Sequence, residues 1–299
     1  MALRKLACLS LLAPGLLLIS GCSPLSAYNT LQAPGLKPDF RDLSYGPQER
    51  QKLDLYLPAG REEPAPLLVW FYGGGWNSGD KADYAFVARR FTDMGYAVAI
   101  PDYRLAPAVR FPGFVEDGAA ALAMLRGFAE RHAESVSTRP LVLAGHSAGA
   151  YIAVQMVADA DFLASVGMAR GEVAGIIGIA GPYDFHPYQV AASRSAFGDA
   201  PPEASQPVEQ DLSTMPPLLL ITGASDATVK PRNSKRLAEL APQAQLEVVA
   251  GLGHIGALLA LGPRITTKPA VIQPIEGFLG KLGGTAAVSQ ASGLPLGAE

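Results

Sequence analysis

The sequence predicts an α/β domain with a mostly parallel central sheet flanked by helices. Three observations support this. Short apolar runs alternate with helical patterns from about residue 41 to 282. Most of those runs are continuously apolar, as strands covered on both faces are. The chain has 299 residues, 49% hydrophobic and 17% charged, which suits one large buried core.

The first 21 residues stand apart from that domain. Arg4 and Lys5 precede an apolar stretch over 6–19, and Ser20-Gly21-Cys22 follows. A charged start, a short apolar run and small residues at a cleavage point read as a signal peptide. The run falls short of the about 20 residues that a membrane span needs. Leu18-Ile19-Ser20-Gly21-Cys22 resembles a bacterial lipobox, which implies a lipidated Cys22 as the new N-terminus. Membrane attachment through Cys22 is therefore expected. With Ser23 rather than Asp after the cysteine, the resemblance to enterobacterial lipoproteins implies the bacterial cell envelope, at the outer membrane facing the periplasm. The other cysteine, Cys8, lies inside the signal, so the exported domain would have no free thiol or disulfide. That excludes a cysteine nucleophile and a thiolate metal site.

Residues 22–40, with Pro24, Pro34, Gly35 and Pro38, read as a tether. The domain is expected over 41–282. Residues 53–57 alternate with period two, as a half-exposed antiparallel strand does. Leu67-Leu68-Val69-Trp70-Phe71-Tyr72 is apolar throughout and fits a central strand. Further strands are expected at 96–100, 141–144, 174–180, 218–222 and 245–250. Helices fit between them, at 81–94, 115–131, 148–159, 232–240 and 270–282. Residues 283–299 are rich in Gly, Ala and Ser without periodicity and are expected to be disordered.

In such a sheet, ligands bind beyond the carboxyl ends of the strands, and reactive residues cluster there. Ser147 lies in Gly145-His146-Ser147-Ala148-Gly149, between strand 141–144 and helix 148–159. That is the setting of a nucleophile on a tight strand-to-helix turn. An alcohol needs a base, and the candidates are His132, His146, His186 and His254. His254, in a glycine-rich loop after the last strand, is favoured; His146 is expected to point elsewhere and His132 to be solvated. Asp226, after strand 218–222, is the candidate that orients the histidine. Tyr72-Gly73-Gly74-Gly75-Trp76 follows the central strand, and backbone N–H groups there can approach a ligand oxygen closely. Gly74, Gly75, Trp76 and Ala148 are the expected oxyanion-hole residues. Tyr72, Tyr183 and His186 are candidates for lining the substrate pocket.

Together these residues resemble the α/β-hydrolase esterases of the hormone-sensitive-lipase-like and feruloyl-esterase-like group. The likeness covers about residues 53–278. It rests on Tyr72–Trp76, Asp102-Tyr103-Arg104-Leu105-Ala106-Pro107, Phe111-Pro112 with Glu116-Asp117, the elbow at 145–149, and the late blocks at 216–229 and 253–254. Arg104 is expected to form a structural ion pair with Asp117. The family's first oxyanion-block histidine is replaced by Tyr72. The cap is small, with 182–215 as its one sizeable insertion, which favours short acyl groups.

The resemblance implies a carboxylesterase-type serine hydrolase acting on small-molecule esters without cofactor or metal. An arylformamidase or peptidase reaction uses the same machinery, and the fold does not choose among them. A lipid-anchored binding protein without catalysis is the contrasting class, and Tyr72 is the residue that points to it. A net charge of −3 with no basic run gives no sign of a nucleic-acid partner.

Overall fold

The structure, a computed structural model, describes residues 24–283. The expected signal peptide, Cys22 and the tail from 284 onward lie outside those residues. In chain order the elements are α1 (Pro24–Gln32), β1 (Phe40–Ser44), β2 (Lys52–Tyr56), β3 (Ala65–Phe71), α2 (Ala85–Thr92), β4 (Ala97–Pro101), α3 (Gly113–Arg131), β5 (Val136–His146) and α4 (Ala148–Ala158). Then follow α5 (Ala160–Ala164), β6 (Val173–Ile179), α6 (Ala191–Phe197), α7 (Pro202–Ser205), β7 (Leu218–Gly223), α8 (Arg232–Leu240), β8 (Ala244–Val249), α9 (His254–Leu259) and α10 (Pro269–Lys281).

The strands form one eight-stranded sheet in the order β1-β2-β4-β3-β5-β6-β7-β8. β1, β2 and β4 pair antiparallel, and every pairing from β4–β3 to β7–β8 is parallel. This is the α/β-hydrolase fold, as expected. β3 explains why: all seven of its residues are buried, because helices cover both faces and no position can be polar. β4 and β7 are likewise buried throughout.

Two local departures have physical causes. β5 begins at Val136, five residues before the expected strand, and its pairing with β3 shifts register between Pro66 and Leu67. The added stretch, Val136-Ser137-Thr138-Arg139-Pro140, is too polar to read as a buried strand, but the ladder to Ala65 and Pro66 holds it. The second departure corrects the tether. Residues 24–32 form α1, which docks on the domain through hydrogen bonds as well as through Leu25 and Tyr28, packed against the core. Asn29 Nδ2 donates to the Ala82 carbonyl (2.8 Å) and Asn29 Oδ1 accepts from the Phe86 amide (2.8 Å). Gln32, 1% exposed, accepts from the amide of Arg264 at 2.9 Å.

Buried charge is paired. Lys81 sits between Asp42 (2.7 Å) and Asp54 (3.0 Å). Arg104 meets Asp117 at 2.8 Å, as expected, and Gln51 Nε2 donates to the same carboxylate at 2.7 Å. This ties the loop after β4 to the start of α3, near the carboxyl end of the sheet.

Candidate active site

β5 runs directly into the elbow. Ser147 has φ 54° and ψ −122°, a strained conformation for a residue with a Cβ. Its amide donates to the Ile179 carbonyl of β6 at 2.9 Å, which pins the turn to the neighbouring strand. The turn is this tight because of the flanking glycines. A Cβ on Gly149 would lie 2.0 Å from the Phe71 carbonyl oxygen of β3, and one on Gly145 would lie 2.5 Å from the Gly149 carbonyl carbon. α4 then starts at Ala148, so its N-terminal partial positive charge faces the space above Ser147.

Two other loops bring in the partners. His254 Nε2 lies 2.9 Å from Ser147 Oγ, and His254 Nδ1 lies 2.8 Å from Asp226 Oδ2. With Nδ1–H donating to the carboxylate, Nε2 is the free lone pair that faces the hydroxyl. The Asp226 side chain is completely buried. Its second oxygen accepts from the amides of Thr228 (2.9 Å) and Val229 (2.8 Å), which satisfies a charge that burial would otherwise penalise. The Asp226 and His254 loops are laced together by the Ser225 amide donating to the Leu252 carbonyl at 2.9 Å. His254 opens α9, a helix too short to show periodicity in the sequence.

Beside this relay runs the glycine segment after β3. Among the described bonds, the amides of Gly74, Gly75 and Trp76 donate to no protein acceptor. Gly74 has φ 132° and a Cβ there would lie 2.2 Å from the Ser78 carbonyl oxygen. Gly73 packs against the nucleophile, where a Cβ would stand 3.1 Å from Ser147 Cβ. These free donors and the start of α4 make a cradle for negative charge next to Ser147.

Tyr72 corrects one expectation, because its side chain lines no pocket. It is fully buried, stacked between Tyr84 and Tyr103 at 5.3 and 4.8 Å. Its hydroxyl donates to Asp102 Oδ1 (2.7 Å) and accepts from Arg50 Nη2 (2.7 Å). Burial pushes its ionisation well above the ordinary tyrosine value. Arg50 also donates to the Gly79 carbonyl (2.9 Å) and the Tyr103 carbonyl (2.9 Å), so the network closes around the glycine segment. Tyr183 is equally buried, its hydroxyl filling the space beside Gly178 and Gly181 where a Cβ would lie 2.2 and 2.3 Å away. His186 is exposed and meets Tyr188 edge-on at 5.3 Å, while the position next to Ser147 belongs to His254.

Sequence reasoning missed two features. His146, expected to point elsewhere, packs its ring 4.7 Å from that of His254, and its Nε2 lies 3.1 Å from the His254 carbonyl. A carbonyl can only accept, so Nε2 carries the proton and the buried Nδ1 is left without a partner. Burial first, and His254 second, push His146 down to about 3, so it stays neutral. The other feature is the aromatic seat of Trp76. Its ring stacks on Phe114 and Phe185 at 6.0 and 5.7 Å and meets Tyr151 and Phe197 edge-on at 5.5 and 4.8 Å. Phe185 and Phe197 belong to the small cap, and Tyr151 fastens that cap to α4 by donating to the Ser205 carbonyl at 2.7 Å.

Comparison with known proteins adds a family to this geometry. The BD-FAE family model matches residues 53–240. An isoprenylcysteine alpha-carbonyl methylesterase of Arabidopsis thaliana is 26% identical over 247 residues, covering 73% of this chain and 57% of its own. A kynurenine formamidase of Danio rerio is 28% identical over 158 residues, 53% of this chain and 51% of its own. The chain thus spans between about a quarter and a little over half of the length of the curated relatives it matches. Among solved structures, a propionate-bound esterase of Thermogutta terrifontis superposes with a TM-score of 0.68 at 22% identity, over 86% of this chain and 98% of that one. At that identity the likeness bears on the fold.

Proposed function

The chain belongs to the BD-FAE family, and we propose that it is a serine hydrolase of carboxylic esters working through an acyl-enzyme. The observation that carries this reading is the continuous relay Ser147 Oγ–His254 Nε2 (2.9 Å) and His254 Nδ1–Asp226 (2.8 Å) beside three undonated amides. In the proposed reaction Ser147 attacks the acyl carbon while His254 takes the hydroxyl proton. The carbonyl oxygen becomes an oxyanion received by the amides of Gly74, Gly75, Trp76 and Ala148. Each such donor is worth about 3–4 kcal/mol of transition-state stabilisation. Asp226 holds the imidazole tautomer and stabilises the imidazolium, and His254 returns the proton to the leaving alcohol. Water, deprotonated by His254, then attacks the acyl carbon and releases the acid and Ser147.

Short acyl or aryl esters suit the site best, because the cap's Phe185 and Phe197 already pack against Trp76. Formamide hydrolysis is a second reading, favoured by the similarity to a kynurenine formamidase. Attachment of the enzyme to a bacterial membrane by a lipidated Cys22 belongs to the same proposal and rests on the sequence pattern before Ser23. A fluorophosphonate probe should label Ser147. A panel of p-nitrophenyl esters of rising chain length, with feruloyl and N-formyl substrates beside it, should show a maximum at short acyl groups. Folded protein that neither labels nor hydrolyses any of these esters would overturn the reading.

A further inference from the structure

α1 has a buried face that binds it to the domain and an outer face that the fold does not use. Inward, Tyr28 Oη donates to the Leu259 carbonyl at 2.7 Å, and Asn29 and Gln32 make the bonds given above. Outward, Pro24, Ala27 and Leu31 fall at i, i+3 and i+7, which is one side of a helix, and all three are exposed. Leu31 is 62% exposed. The sequence from Pro24 to Leu36 contains no charged residue. Next to α1, Ile265 is 70% exposed, and its amide faces Gln32 Oε1 at 3.3 Å. Exposed Arg264 and Lys268 flank Ile265, while half-buried Asp83 interacts with Ser26.

We propose that this face lies on the surface of a lipid bilayer, with the Pro24–Ala27–Leu31 stripe and Ile265 at the acyl boundary and Arg264 and Lys268 at anionic headgroups. The inference rests on the lipidated Cys22 of the previous section. Only Ser23 separates that cysteine from the first residue of the docked helix, a reach of about 7 Å at full extension. A lipid chain on Cys22 therefore brings the start of α1 to the membrane, and the hydrogen bonds of α1 bring the domain with it. The exposed apolar stripe of α1 with Arg264 and Lys268 beside it matches an anionic lipid surface, where apolar side chains enter the acyl boundary and cations meet headgroups. α9 joins this face to the candidate site, since it begins at His254 and ends at Leu259, whose carbonyl holds Tyr28. The membrane thus sets the orientation in which ester substrates reach Ser147.

The test uses the full lipidated chain in vesicles of phosphatidylethanolamine and phosphatidylglycerol. Once Cys8 leaves with the signal and the Cys22 sulfur carries lipid, no other thiol remains. Leu31→Cys and Ile265→Cys can then each carry a single environment-sensitive fluorophore, with Val248→Cys on the β8 edge, 42% exposed, as control. The expected result is a blue shift with severalfold brighter emission at positions 31 and 265, quenched by spin-labelled lipid, and neither effect at 248. Vesicle-bound protein with equal emission at all three positions would overturn the docking while leaving the lipid anchor standing. A concentration-dependent blue shift without vesicles would assign the face to a second copy of the chain and also overturn it. Wild-type chain that fails to partition with membranes would remove the anchor, and this inference with it.

Discussion

Replacing Tyr72 by Phe removes one oxygen from the network beneath the glycine segment and keeps the ring between Tyr84 and Tyr103. The lost hydroxyl, on a fully buried side chain, donates to Asp102 and accepts from Arg50, both at 2.7 Å. Hydrogen bonds to charged groups are worth about 1.5–3 kcal/mol each. The partners are not abandoned, however. Asp102 keeps the Lys81 amide (2.9 Å) and Arg50 (3.3 Å), and Arg50 keeps two carbonyls. A net loss of about 2 kcal/mol follows, near the lower end of that range. For a domain of this size that lowers Tm by about 4–8 °C. Activity should respond much less. The glycine segment remains fixed by Tyr103 Oη donating to the Tyr72 carbonyl (2.9 Å) and by the Ala106 amide donating to the Trp76 carbonyl (2.8 Å). We expect kcat/KM on p-nitrophenyl acetate to fall less than about tenfold, against the about 10²–10³ that loss of an oxyanion donor costs. Thermal unfolding by circular dichroism and steady-state kinetics on the same preparation check both numbers. An unchanged Tm with a hundredfold loss of kcat/KM would refute the reasoning, because the hydroxyl would then be acting on the substrate.

Ser147→Ala should abolish fluorophosphonate labelling and lower esterase kcat by about 10⁶, and Asp226→Asn should lower it by about 10⁴, as loss of a nucleophile and of a tautomer-fixing carboxylate do. His146 is pushed down to about 3 in the fold from an ordinary 6.5, so the unfolded chain takes up the proton first as pH falls. The stability it contributes is complete above pH 6.5 and is lost between pH 6.5 and 3, at up to about 1.4 kcal/mol per pH unit; urea titrations should show a flatter acid slope for His146→Gln than for wild type. Phe197→Ala empties a ring that meets Trp76 edge-on at 4.8 Å, so it should cost about 3–5 kcal/mol of stability. It should also raise kcat/KM for hexanoyl relative to acetyl esters, and an unchanged chain-length profile would separate Phe197 from acyl selection.

The parallel strands and the order Ser147, Asp226, His254 could be read from the sequence because burial on both faces leaves an unbroken apolar run and each reactive residue follows one. Three parts could not. α1 turns only Leu25 and Tyr28 inward as apolar side chains, and much of its hold comes from Asn29 and Gln32 bonding to residues 53 and 232 positions away. β1 (Phe-Arg-Asp-Leu-Ser) is a mostly exposed edge strand, so its pairing with β2 rather than its composition makes it a strand. Tyr72 and Tyr183 follow strands just as pocket residues do, but their hydroxyls turn inward, toward Asp102 and toward Gly178 and Gly181 at the end of β6. Adjacency in sequence also hid His146, whose ring reaches the backbone of His254 from 108 residues away.

These missed contacts share a consequence for the site. The proposed oxyanion segment is gripped from below by Tyr72, Arg50 and Asp102, and from above by Phe185 of the cap, stacked on Trp76, and Phe197, edge-on to it. Ala192 of α6 closes the same gap, since a Cβ on Gly75 would stand 3.2 Å from its Cβ. In the proposed reaction, a cap residue that selected the acyl group would therefore also bear on the amides proposed to receive the oxyanion. We therefore expect acyl preference and catalytic rate to be coupled through Trp76, with substitutions in α6 moving kcat as well as KM.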